Sequence, residues 1–344
     1  MLDDLNYIAR FDSQNILALA AGLPEQLNYD AYQFAAPPIA KLANIVITGM
    51  GGSALAGLLI RSWQADQLKV PVVVTRDYEL PGFVDSRTLV IASSYSGNTE
   101  ETLQAAEQAL SNKAVLIVVS AGGKLAELAQ AQKVPYLPLP ADLPPRMAAW
   151  AELRVLAMIF DELGITVQAV KDLTAALPFL LAQANRYLPQ VKAAENPAKL
   201  LAQQLAGKSV VVYGGPVLAA AAYKWKISFN ENAKNLAFSN EIPELNHNEM
   251  IGWTSHPMEK PFAVIELESS FDTVRAQERF TFTNRVLSGQ MPAPIEVKAE
   301  GKTKIEQILS TVLLGEFASI YLAILNGVNP LPVDLVEQFK TKLG

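Results

Sequence analysis

At 344 residues the chain is too long for one ordinary core and suits two domains of similar size. Half of its residues are apolar and 18% are charged, which allows a large buried core and argues against disorder. A net charge of −6 without Lys/Arg clusters argues against a nucleic-acid partner, and the lack of cysteine excludes disulfides, thiolate catalysis and cysteine-based metal sites.

In chain order, the opening MLDDLNYIAR is acidic and amphipathic, unlike a signal peptide, and residues 1–43 read as lead-in helices with an Ala-Pro-Pro break. Ile45 to Thr48 reads as a short strand that empties into Gly49-Met50-Gly51-Gly52-Ser53, and Ala54 to Trp63 as the helix that follows. Val70 to Thr75 and Thr88 to Ser93 are the second and third strands. The third runs into a loop of small hydroxyl residues, Ser94 to Thr99, and then a helix to about Leu110. Ala114 to Ser120 is a fourth strand, Gly122-Gly123 starts another helix, and Val134 to Leu139 is a fifth strand. Continuous apolar strands alternating with helices predict an α/β fold built on a doubly wound, mainly parallel sheet with both faces covered.

Four prolines in Pro138 to Arg146 interrupt this pattern; Met147 to about Gly164 and the Ala/Leu-rich Asp172 to Leu205 then read as helical. The domain divide is expected at 165/166, with 166–206 as connecting helices. The alternation resumes with a strand at Ser209 to Tyr213, a turn at Gly214-Gly215 and a helix from Pro216 to about Phe229. Pro261 to Leu267 and Ile295 to Lys298 are further strands, with helices at about Asp272 to Leu287 and at Lys304 to Leu325. The most apolar late stretch, Val312 to Leu325, is interrupted by Glu316 and reads as too short for a bilayer. The two halves share a strand, glycine turn and helix opening, which predicts a duplicated αβα sandwich. The second half shows no counterpart of the Ser/Thr loop.

Val90 to Leu103, VIASSYSGNTEETL, carries the first functional signal. A helix start offers free backbone N–H groups and the positive end of the dipole, so Ser94, Ser96 and Thr99 around one make a neutral cradle for a phosphate. The plainer alternative is ordinary turn and N-cap chemistry. The glycine turn is ambiguous: Gly49, Gly51 and Ala54 fit a dinucleotide fingerprint with Asp77 as the ribose acid, which makes an NAD(P)-dependent dehydrogenase a rival. Pro144-Pro145 would aim the Arg146 head, although a surface arginine at a helix start explains that residue as simply. Phe229 to Glu249, rich in Glu and Asn, holds His247, one of only two histidines with His256. Two histidines do not make a multi-histidine metal site. Glu231 and His247 could move protons near neutrality, but they are too far apart in sequence to share one helix face.

Taken together and in this order, GMGGS, SYSGNTEET, PPR and NENAK with NEIPELNHNE resemble the bifunctional phosphoglucose/phosphomannose isomerase family over nearly the whole chain. The resemblance implies two sugar isomerase (SIS) domains and interconversion of glucose 6-phosphate with fructose 6-phosphate, and of mannose 6-phosphate, through an enediolate. It implies that Gly52, Ser53, Ser94, Ser96 and Thr99 bind the sugar phosphate and that Arg146 stabilises the enediolate. By the same resemblance Glu231 is the base, and His247 assists ring opening from the other subunit of a homodimer. Neither a cofactor nor a metal is expected, since removing a proton beside a carbonyl needs a base and an oxyanion stabiliser. The C-terminus departs from the family: Leu331, in Asn329-Pro330-Leu331-Pro332-Val333, replaces a threonine associated with mannose, and Lys340 matches a terminal lysine, with Gln338 the alternative occupant of that position. The resulting expectation is a cytoplasmic isomerase with a small sugar-phosphate substrate and no nucleic-acid or membrane partner. A non-catalytic SIS sugar-phosphate sensor is the second reading and the dehydrogenase the third.

Overall fold

The structure is a computed structural model that describes residues 1–30, 37, 41–255 and 261–343; His256 and residues 31–36 and 38–40 of the expected lead-in lie outside them. The chain divides into two compact units, one of residues 23–178 and the other of 1–22 together with 179–344. The divide therefore falls thirteen residues later than composition placed it, and the first helices belong to the other unit. The physical reason is burial. The opening helices α1 (Leu5–Phe11) and α2 (Ile16–Ala21) bury Ile8, Ile16, Leu17 and Ala20 and pack against a long helix near the C-terminus. Asp12 ties the two together by accepting the Ile16 and Leu17 N–H groups at 2.6 and 3.1 Å.

The unit of residues 23–178 contains β1 (Asn44–Thr48), α3 (Gly51–Trp63), β2 (Val72–Thr75), β3 (Thr88–Ser93), α4 (Glu100–Ser111), β4 (Val115–Ser120), α5 (Gly123–Gln132), β5 (Tyr136–Pro138) and α6 (Ala149–Glu162). Its five strands are all parallel in the order β2-β1-β3-β4-β5, with Ile45 paired to both Val72 and Leu89 and Leu89 to Val115. Every residue of β3 is buried, as a central strand covered on both faces requires. In a parallel α/β sheet the loops at the carboxyl ends of the strands gather at one edge, and the glycine turn after β1 and the Ser/Thr loop after β3 are such neighbours.

Helix α7 (Ala169–Arg186) carries the chain out of this unit, with Pro178 inside it. The other unit continues with α8 (Pro197–Leu205), β6 (Ser209–Gly214), α9 (Ala219–Glu231), β7 (Ala237–Glu241), α10 (Glu249–Ser255), β8 (Phe262–Glu268), α11 (Val274–Val286), β9 (Ile295–Lys298), α12 (Lys304–Leu325) and α13 (Asp334–Leu343). Its parallel sheet, β7-β6-β8-β9, repeats the order β2-β1-β3-β4 strand for strand. Strand β7 was not among the expected strands. AFSNE is an edge strand with one neighbour and an exposed Phe238, so it lacks the continuous apolar run by which buried parallel strands are recognised.

Helix α12 has the bounds expected from the sequence and extends well beyond the 312–325 stretch read as too short for a bilayer. It is 22 residues long, and its most apolar 18-residue stretch, with a mean hydropathy of 2.0, is apolar enough to cross a membrane, yet 89% of that stretch is buried inside the protein. It packs against α8, α9 and α2, and a helix apolar on all sides suits such a central position. Its start is set by Thr303 and Glu306, which form a capping box.

Candidate active site

In the unit of residues 23–178 the sequence motifs are joined by hydrogen bonds at the carboxyl edge of the sheet. Gly52, in the first turn of α3, lies against the Pro145-Arg146 backbone: a Cβ at this position would be 3.1 Å from the Pro145 carbonyl oxygen, so the neighbour would have to give by a few tenths of an ångström. The Ser/Thr loop meets the same segment through Tyr95, whose hydroxyl accepts the Leu143 N–H at 2.8 Å and donates to the Pro140 carbonyl at 2.9 Å. Gln26 fixes the far side, donating to the Met147 carbonyl at 2.8 Å and accepting the Ala151 N–H at 3.0 Å. Arg146 sits in the 3-10 turn Pro145–Met147 and is 9% exposed, so it is not the surface arginine that the sequence left open.

The hydroxyls of the loop are arranged unlike a simple helix cap. Thr99 stands at the N-cap of α4, but its side chain makes no capping bond. Its Oγ1 lies 2.7 Å from Oγ of Ser94 instead. Ser94 is buried, Ser96 is exposed, and the Ser96 Oγ accepts the Asn98 N–H at 3.3 Å. An uncapped helix start, paired hydroxyls and a buried guanidinium along one edge suit a dianion.

Ser53 has a different environment from the one expected. It is 5% exposed, and its hydroxyl donates to Oε1 of Glu152 at 2.9 Å while accepting the Tyr95 N–H at 3.3 Å. Glu152 lies in the first turn of α6 with no exposed surface, and its Oε2 accepts from Ser93 at 3.3 Å. Burial pushes its carboxyl up to about 7, offset in part by the two hydroxyls. Sequence reasoning missed Glu152. The available signal was a lone acid inside the apolar run MAAWAELRVLAMIF.

The remaining predicted residues belong to the other unit. Glu231 is half-buried and ends α9, where Lys234 gathers the chain by donating to the carbonyls of Glu231 at 2.8 Å, Asn232 at 3.3 Å and Pro330 at 2.9 Å. The departing segment Asn329–Val333, with half-buried Leu331, is thus tied to the Glu231 turn. Beneath it, Lys224, Ser228 and Asn232 occupy one face of α9 and surround Glu316 of α12, with the Lys224 Nζ 2.6 Å from Oε2 and the Asn232 Nδ2 2.8 Å from Oε1. Burial acts to raise the Glu316 carboxyl, but the Lys224 charge and the three donors outweigh it and hold it below its ordinary value. His247 ends the 3-10 turn Glu244–His247 and is exposed. Lys340 lies on α13, and its side chain is outside the described residues.

The second sheet does possess a loop in the position of Ser94–Thr99, contrary to expectation. Ser269-Ser270-Phe271-Asp272-Thr273 leaves β8, the counterpart of β3, and leads into α11. Most of its polar groups are used internally, although Oδ2 of Asp272 is buried without a hydrogen-bond partner among the described residues. Ser269 donates to Gln307 at 2.7 Å, Thr273 caps α11, and Oδ1 of Asp272 accepts the Val217 N–H at 2.9 Å. The Asp272 carboxylate presses on Gly215, where any Cβ would collide with it. This copy has its own anion on the glycine turn. Among the described residues no group of three or more His, Asp or Glu side chains is arranged to hold a metal ion.

A model of the SIS domain matches residues 39–134, and one of the bacterial phospho-glucose isomerase C-terminal SIS domain matches residues 194–343. A bifunctional phosphoglucose/phosphomannose isomerase of Caldicellulosiruptor bescii is 37% identical over 303 residues, covering 87% of this chain and 89% of its own. The chain belongs to the bifunctional phosphoglucose/phosphomannose isomerase family. A member from Aquifex aeolicus is 31% identical over 300 residues, 87% of this chain and 90% of its own. The crystal structure of a glucose-6-phosphate isomerase like protein from Thermus thermophilus shares the fold with a TM-score of 0.68 at 20% identity, covering 99% of this chain and 98% of that one. Both sheets are thus SIS domains of this family. The glycine turn and Ser/Thr loop fall within the first match, Glu231, His247 and Lys340 within the second, and Arg146 between them.

Proposed function

We propose that the chain interconverts glucose 6-phosphate and fructose 6-phosphate, and also mannose 6-phosphate, by proton transfer through an enediolate. The observation that carries this reading is the joining of Gly52, the Ser94–Thr99 loop and a buried Arg146 along one sheet edge, in a chain of this family. Ser94, Ser96, Thr99 and the start of α4 hold the phosphate, whose binding energy fixes the reacting carbons. Ser53 belongs to the same site. Arg146, desolvated at its turn, stabilises the oxyanion that develops as the proton leaves. Glu231 carries the proton between C2 and C1, and Lys340 contributes to the site. His247, exposed in the single chain, assists ring opening in the other subunit of a homodimer. The reaction is cytoplasmic, where phosphorylated sugars are made and consumed.

Leu331 stands where the family resemblance places threonine, and leucine cannot hydrogen-bond a sugar hydroxyl or a water. Mannose 6-phosphate is therefore the slower substrate. A coupled assay of the purified protein with glucose, mannose and glucosamine 6-phosphates in EDTA tests the reading. The expected result is turnover of the first two, glucose 6-phosphate being faster. Glu231→Gln should lower kcat by about a thousandfold or more while fructose 6-phosphate binding stays within about threefold. Turnover retained in that variant would show that Glu231 is not the base.

A further inference from the structure

We propose that Glu152 is a positioning residue for sugar-phosphate binding, holding the glycine turn and the Ser/Thr loop in one fixed register from behind. Its two oxygens take hydroxyls from two different segments, Ser53 in the first turn of α3 at 2.9 Å and Ser93 at the end of β3 at 3.3 Å. Ser53 in turn accepts the Tyr95 N–H, so a single chain of bonds runs from the Ser/Thr loop through the glycine turn to α6. The same Tyr95 holds Leu143 and Pro140 with its hydroxyl, closing the connection to the segment that ends in Arg146. A fully buried carboxylate bonded to neutral hydroxyls is a costly way to join three segments, and an apolar residue would fill the space in α6 at less cost.

The geometry also assigns the Ser53 hydroxyl a new part. A serine has one proton to donate, and this one is directed at Glu152, away from any ligand. Its backbone N–H is spent as well, on the Met50 carbonyl at 3.1 Å. Ser53 therefore acts on the phosphate through the position of the turn, with Glu152 as its support.

This rests on the reading of these loops as the phosphate site, and a double-mutant cycle separates the two. Dissociation constants for inorganic phosphate and fructose 6-phosphate are measured by calorimetry, with kcat and KM alongside, for wild type, Glu152→Gln, Ser53→Ala and the double variant. Each single change should weaken both ligands and raise KM about tenfold, with kcat within about threefold, and the double variant should be no worse than either single. Additive losses, or a fall in kcat at unchanged KM, would overturn the proposal. Wild type that binds neither ligand overturns the phosphate reading and this proposal with it. Wild-type binding that survives Glu152→Gln overturns this proposal alone. If Glu152→Gln does not fold, Ser93→Ala removes one hydroxyl from the same carboxylate outside the ligand loops. It should weaken phosphate about threefold, and unchanged binding would again overturn the proposal.

Discussion

Two buried acids contribute to the pH dependence of stability at the scale of single residues. Glu152 and Glu266 are both raised from 4.5 to about 7, chiefly by burial. Oε2 of Glu266 accepts from Asn284 at 2.8 Å, while Oε1 is buried without a hydrogen-bond partner among the described residues. A raised carboxyl binds its proton more tightly in the folded state than in the unfolded chain, so stability falls as pH rises from about 4.5 to about 7 and is level above. Each group costs about 3 kcal/mol at pH 8. The melting temperature should therefore rise on titration from pH 8 to 6, and Glu266→Gln should raise it at pH 8 while changing little at pH 5. A melting temperature indifferent to Glu266→Gln at pH 8 would show that this acid is not held protonated by the fold. Glu316 has the opposite sign: its lowered carboxyl contributes stability that is lost on strong acidification.

The contact of α9 with α12 determines, among the secondary elements, where the Glu231 turn sits. Lys224 and Glu316 are 3% and 0% exposed, and the pair is completed by Ser228 and Asn232, one residue beyond Glu231. Removing one charge strands the other in the core. Glu316→Gln should cost about 3–5 kcal/mol in urea denaturation, whereas replacing both Lys224 and Glu316 by apolar residues of similar size should cost much less. Equal losses in the two variants would argue that packing and not charge pairing holds these helices. The same comparison applies to the loops: Ser94–Thr99 leaves its helix start without a side-chain cap, while Ser269–Thr273 caps α11 and seats Asp272 on the glycine turn. One loop leaves its helix start open, and the other uses its Thr273 side chain and one Asp272 oxygen on its own chain.

For the whole molecule, the proposed homodimer makes a prediction that a single chain cannot. If His247 serves the partner subunit, Glu231→Gln and His247→Ala dimers mixed under exchange conditions form hybrids with one intact site. The mixture should regain about a quarter of wild-type activity. No regain on mixing would assign His247 to the site of its own chain. Within one chain the two sheets repeat a single strand order, β2-β1-β3-β4 against β7-β6-β8-β9.

Two parallel α/β domains were legible in the residue order, because strands covered on both faces must be written as apolar runs such as those of β1, β3, β4 and β8. The family was legible too, through motifs whose residue types and order are local properties of the chain. Strand β7 escaped because an edge strand needs no such run, and the placement of α1 and α2 escaped because packing against α12 is contact between residues some three hundred positions apart. The direction of a hydroxyl was equally out of reach. Ser53, Ser94 and Thr99 read alike as donors to a phosphate, and only the tertiary structure turns Ser53 inward to Glu152 and pairs the other two. Whether a serine faces a ligand or a buried carboxylate depends on what a distant helix brings behind it. In this chain that helix is α6.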